Sequence, residues 1–128
     1  MAHRILFVDD ERDLVQCAEV FLKDAGYEFE GAYDGMQAVQ KVKESKFDLI
    51  VLDVSMPRLT GWDVLLVLQE DPATADIPVL MLTAKSQDQD KARGWELGCT
   101  WYHTKPFEFD DLLMIISRIL SETSGESP

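Results

Sequence analysis

The sequence is poor in the residues that build thiolate sites and covalent frameworks. Cysteine occurs only at Cys17 and Cys99, with no CxxC spacing and no histidine-rich neighbourhood. Neither a zinc site nor a disulfide framework is therefore suggested, and both residues read as small hydrophobes. Positive charge is also scarce, with 12 Lys and Arg against 24 Asp and Glu and a net charge of -12. Nucleic-acid binding needs cations that displace condensed counterions, so direct DNA binding by this chain is not expected. Long apolar runs are missing too. The opening Met-Ala-His-Arg leads only into the run Ile5 to Val8, far short of a signal h-region or a membrane span, and cytosol is the expected location.

What remains is the material of one ordinary domain. A chain of 128 residues, 46% hydrophobic and 28% charged, can bury one core and is too short for two. Short apolar runs alternate with longer amphipathic stretches, the signature of a parallel sheet with helices on both faces. The expected strands are Arg4 to Val8, Glu28 to Ala32, Leu49 to Leu52, Val79 to Leu82 and Trp101 to Thr104. The third and fourth are unbroken apolar runs, as strands buried on both faces require, and should be central.

Helical spacing aligns Leu14, Ala18, Phe21, Leu22 and Ala25 in a first helix, and Ala38, Val39 and Val42 in a second. A third aligns Val64, Leu65 and Leu68, and a last, from about Phe109 to Leu120, aligns Leu112, Leu113, Ile116 and Leu120. Gly26 and Gly98 stand where helix C-caps need a left-handed residue. Five β/α repeats result, covering residues 1–120. The small, polar stretch 121–128 reads as a flexible C-terminal tail or a truncated linker.

In an open parallel sheet the ligand site lies beyond the carboxyl ends of the strands, where strand order reverses. Asp9 and Asp10 follow the first expected strand, and Asp53, Thr83 and Lys105 follow the third, fourth and fifth. Each alone has a plain explanation: Asp10, for example, could simply cap the first helix. Together they gather three carboxylates that repel one another unless a cation or lysine is present. Oxygen-only ligands suit a hard ion, and Mg²⁺ is favoured because it keeps waters and phosphate oxygens among its ligands. Phosphoryl transfer to a carboxylate is then the natural chemistry, with Mg²⁺ and Lys105 neutralising the equatorial oxygens.

Five segments carry a resemblance, in order: Ile5-Leu-Phe-Val-Asp-Asp-Glu11, Asp48-Leu-Ile-Val-Leu-Asp53, Met56-Pro57 with Gly61, Pro78-Val-Leu-Met-Leu-Thr-Ala84 and Tyr102-His-Thr-Lys-Pro-Phe107. With this order and spacing, the chain from about Arg4 to Leu120 resembles the receiver domain of bacterial two-component response regulators. The resemblance implies a flavodoxin-like (βα)5 fold, a doubly wound five-stranded parallel sheet of strand order 2-1-3-4-5. It implies that Asp53 accepts a phosphoryl group from a sensor histidine kinase or phosphotransfer protein, as a signalling phosphoacceptor and not an ordinary enzyme. Asp10 and Asp53 would ligate Mg²⁺ directly, Asp9 through water and Ser55 through its backbone carbonyl. Lys105 would pair with a phosphoryl oxygen, Thr83 would turn to bond another, and Tyr102 would move inward behind it. The face formed by the fourth helix, fifth strand and last helix would then change, to control a protein partner or output domain. The Lys105-Pro106 bond is cis in the family.

The chain departs from the family pattern at several positions. Arg58 and Thr60 stand where many members have Gly and Asp, while Ser55 and Lys85 occupy two positions that tune phosphoryl lifetime. Thr100 and Trp101 replace an acidic pair, and Ile115 replaces a last-helix Arg, that support charged dimers in winged-helix regulators. Trp95, Trp101 and Ile115 are expected instead to form a docking face for a protein partner. A haloacid dehalogenase-type phosphatase is disfavoured, because Ser55 stands where those enzymes usually carry a second Asp as general acid, and a flavin-binding reading fails because Asp9-Asp10-Glu11 would repel the phosphate. A receiver-like interaction module that works without phosphate is the remaining alternative.

Overall fold

Two apolar runs buried on both faces form the middle of the sheet, as their composition requires. The computed structural model describes residues 2–84 and 101–123. Strands β1 (Arg4–Val8), β2 (Glu28–Ala32), β3 (Leu49–Asp53), β4 (Val79–Ala84) and β5 (Trp101–Lys105) form one sheet in the order β2-β1-β3-β4-β5. Every neighbouring pair is parallel. The fold is therefore the flavodoxin-like α/β architecture with the expected strand order. Among the described residues the helices are α1 (Arg12–Asp24), α2 (Gly35–Glu44), α3 (Gly61–Glu70) and α4 (Phe109–Thr123). The expected positions Lys85, Trp95 and Gly98 lie outside the described residues. None of the described helices is long and apolar enough to cross a membrane.

Alternation along the strands divides the core into two layers. Leu6, Val8, Ile50, Leu52 and Met81 pack with Ala38 and Val42 of α2 and Val64, Leu65 and Leu68 of α3. On the other face Ile5, Phe7, Leu49, Val51, Leu80 and Leu82 meet Val15, Ala18 and Leu22 of α1 and Leu112, Ile116 and Ile119 of α4. Full burial of such side chains contributes about 1.5–3 kcal/mol each.

Local capping fixes where the helices begin. Asp34 caps α2 by accepting from the Gln37 amide at 2.8 Å. Thr60 caps α3 in a reciprocal box: the Asp63 amide donates to Thr60 Oγ1 at 3.3 Å, and the Thr60 amide donates to Asp63 Oδ2 at 3.0 Å. Thr60 thus supplies the short oxygen-bearing side chain that an N-cap requires.

Three strands run further than expected. The ladder continues through the polar ends, pairing Asp53 with Leu82, Thr83 with Thr104 and Ala84 with Lys105. The backbone keeps pairing after the apolar pattern has stopped. The first helix also corrects the expected core: Val15 is buried, whereas Phe21 is exposed and stacks on Phe109 at a centroid distance of 4.6 Å. Helix α4 continues past Leu120 to Thr123, whose hydroxyl donates to the Ile119 carbonyl at 2.7 Å.

Candidate functional site

Strand order reverses between β1 and β3, and the carboxyl ends of those strands bring Asp9 and Asp53 together. Asp9 follows β1 and is fully buried, its amide donating to the Ala32 carbonyl at 3.1 Å. Asp53 closes β3 and is 4% exposed. Asp10 is exposed beside them, and a carboxylate oxygen from each of the three lies within 4.8 Å of the others. Asp10 does not cap α1, because the cap position belongs to Glu11.

Lys105, at the end of β5, reaches into this acidic group. Its Nζ donates to Asp9 Oδ2 at 2.7 Å, and stands 3.5 Å from Asp53 Oδ1 and 3.6 Å from Glu11 Oε1. The Lys105–Pro106 peptide bond is cis. Burial pushes the Asp53 carboxyl up from its ordinary 3.8 to about 7, helped by the Asp9 charge and opposed by Lys105. Burial also raises Asp9, against the hydrogen bonds from Lys105 and the Glu11 amide. Burial pulls Lys105 down, but its hydrogen bond to Asp9 and the charge of Asp53 outweigh this and leave it raised.

Among the described residues Lys105 is the one ammonium that serves this group of carboxylates, and a further cation is the direct way to ionise all of them. Among the described residues the donor set is oxygen only, without thiolate or imidazole, which fits a hard cation such as Mg²⁺. The Ser55 amide donates to Asp53 Oδ1 at 3.4 Å, while the Ser55 residue itself is exposed.

Thr83 faces the interior, and its Oγ1 has no hydrogen-bond partner among the described residues. A buried hydroxyl without a partner leaves its desolvation uncompensated. Tyr102 is half-buried against the layer that contains Met81.

The loop after Asp53 is held tightly. A β-carbon at Gly61 would overlap the Asp53 carbonyl oxygen and come within 2.9 Å of Val54 Cα, so only glycine lets α3 start there. The Gly61 amide donates to the Val54 carbonyl at 2.9 Å. Arg58 adopts a left-handed backbone with φ of 68°, which disfavours any residue with a β-carbon by about 1–2 kcal/mol.

The structure thus brings Asp9, Asp10, Asp53 and Lys105 together, with Thr83 at the neighbouring strand end. Glu11, near enough to share Lys105, had no role assigned from sequence; its place directly after Asp9-Asp10 was the available signal. Trp101 and Ile115 are half-buried against the α1/α4 layer.

Comparison with known proteins agrees with this arrangement. A family profile described as response regulator receiver domain matches residues 5–117. The DNA-binding dual master transcriptional regulator RpaA of Synechocystis is 39% identical over 120 residues, covering 94% of this chain and 50% of that protein. The alkaline phosphatase synthesis transcriptional regulatory protein PhoP of Bacillus subtilis is 39% identical over 128 residues, covering 100% of this chain and 52% of that protein. The chain thus spans about half the length of these curated relatives. Among solved structures, Vibrio cholerae chemotaxis protein CheY4 superposes with a TM-score of 0.88 at 34% identity, covering 93% of this chain and 99% of that one.

Proposed function

The chain belongs to the response regulator receiver domain family, and we propose on that premise that Asp53 is its phosphoacceptor. The donor is the phosphohistidine of a sensor histidine kinase or phosphotransfer protein. The observation that carries this reading is the Lys105 ammonium 3.5 Å from a buried strand-end carboxylate that two further aspartates adjoin.

An Asp53 oxygen attacks phosphorus, the phosphorus–nitrogen bond breaks, and its electron pair returns to the donor imidazole. Attack requires ionised Asp53, whose burial and neighbouring Asp9 favour the protonated form. Lys105 opposes that bias and is placed to neutralise a phosphoryl oxygen. Receiver domains in general bind Mg²⁺ at such an acidic cluster; here Asp10, Asp53 and the Ser55 carbonyl would hold it directly and Asp9 through water. The ion supplies neutralisation of the charge spread over the transferring oxygens.

After transfer, the Thr83 hydroxyl, without a partner among the described residues, has a reason to turn toward the new acceptor oxygens, with Tyr102 following inward. That movement couples Asp53 chemistry to the face containing β5 and α4, which would act on a cytoplasmic protein partner or an output domain. Ser55 and Lys85 set the lifetime of the acyl phosphate.

Incubation with acetyl phosphate and Mg²⁺ followed by intact mass measurement tests the reading. The native chain should gain one phosphoryl adduct and Asp53→Asn none. An adduct that persists in Asp53→Asn, or none on the native chain, refutes it.

A further inference from the structure

Glu11 occupies the N-cap of α1, yet its side chain makes no capping hydrogen bond. Its carboxylate lies instead 3.6 Å from Lys105 Nζ. The side chains that Lys105 contacts differ sharply in setting: Asp9 is 0% exposed and Asp53 6%, whereas Glu11 is 67% exposed. Glu11 and Lys105 also line one shallow depression with Leu14, Pro106 and Phe107, so the pair lies where the site meets solvent.

Lys105 therefore sits between two buried acids and one solvent-facing acid. An anion that reaches Asp53 meets this ammonium, which stands 3.5 Å from the Asp53 carboxylate. Asp9 and Asp53 are needed to build the interior of the site, but Glu11 is not part of the group of three carboxylates. Its charge draws Lys105 toward solvent and adds repulsion to an incoming anion. Both effects act against arrival of a dianionic donor.

We propose that Glu11 is a positioning residue that restrains Lys105 at the mouth of the site and slows phosphorylation by small anionic donors. This rests on Asp53 being the phosphoacceptor. With acetyl phosphate the balance is complete: an Asp53 oxygen forms the bond to phosphorus, the phosphorus–oxygen bond to the acetyl group breaks, and acetate leaves with the electron pair. Glu11 takes no part in bond making. It competes for the ammonium that the transferred group requires.

The test compares the acetyl phosphate rate constants of the native chain, Glu11→Gln and Glu11→Asp with Mg²⁺, at low and high ionic strength, following the intact mass adduct. Glu11→Gln should react about 2- to 5-fold faster at low salt, because a mostly exposed charge acts through screened electrostatics. The gap should close at high salt, and Glu11→Asp, which keeps the charge, should return toward the native rate. Loss of a structural role would alter the melting temperature of Glu11→Gln without producing a salt-dependent rate difference. Adducts forming at equal rates in native chain and Glu11→Gln overturn the role of Glu11 alone. No adduct on either chain overturns the phosphoacceptor reading and this inference with it.

Discussion

Replacing Asp53 by Asn should stabilise the protein, and the gain should depend on pH. Asp53 is 4% exposed, and its folded carboxyl binds a proton at about 7 against an ordinary 3.8. A raised folded value means that this group's contribution to stability is fully present below about 3.8 and is lost as pH rises through about 7. At about 1.4 kcal/mol for each tenfold change in proton affinity, complete loss at pH 8 amounts to about 4 kcal/mol. At pH 5 the folded carboxyl is protonated while the unfolded one is mostly ionised, so about 2 kcal/mol has already gone. Asn carries no charge at either pH. The stability gap between Asp53→Asn and the native chain should therefore widen by about 2 kcal/mol between pH 5 and pH 8. Urea unfolding in EDTA measures this directly, and in melting temperature the gap at pH 8 is on the order of 10 °C. Because the comparison uses the change in the gap, an imperfect fit of the Asn amide cancels. Mg²⁺ at ten times its dissociation constant should raise native stability by about 1.4 kcal/mol and the variant's by less. Parallel pH profiles for the two proteins would refute the account of a buried, charge-strained Asp53.

Other perturbations test the supports of the site. Gly61→Ala should lower stability by about 1–3 kcal/mol in urea unfolding, because its β-carbon meets backbone atoms of Asp53 and Val54 that have no flexible end to yield. Arg58→Gly should raise stability by up to about 1 kcal/mol, since relief of the left-handed backbone exceeds the added unfolded-state freedom of glycine. Thr83→Val should raise it by about 1 kcal/mol by deleting a buried hydroxyl that lacks a partner among the described residues, and a loss of stability would refute that accounting.

The middle of the fold was legible because β3 and β4 are buried on both faces, and no other placement hides Leu49 to Leu52 or Val79 to Leu82. Their ends were not, because Asp53 and Thr83 are polar in side chain while their backbones still pair. Helical spacing predicted Phe21 in the core, but spacing gives only a stripe. It could not show that Val15 would turn inward and that Phe21 would cover Phe109 at the α1/α4 seam. Asp10 illustrates the same limit in the site: a carboxylate just before a helix suggests a cap, yet the helix starts one residue later and leaves Asp10 beside Asp9 and Asp53. The position of Glu11 after Asp9-Asp10 hinted at the site, but its sharing of Lys105 depends on a contact between residues far apart in sequence.

Asp9, Asp53, Thr83 and Arg58 all oppose stability, and all lie at or beside one crevice. Ordinary core selection would replace a fully buried carboxylate or an unpartnered hydroxyl by an apolar side chain. Two of these strains are of a kind that a cation and a phosphoryl group would relieve: the carboxylates by added positive charge, the hydroxyl by new acceptor oxygens. The left-handed Arg58 has no such remedy, and its relief by glycine should leave phosphorylation intact. Stability gains at Asp53 and Thr83 should come with loss of function, whereas the gain at Arg58 should not. That separation distinguishes strain stored for chemistry from strain that merely shapes the loop.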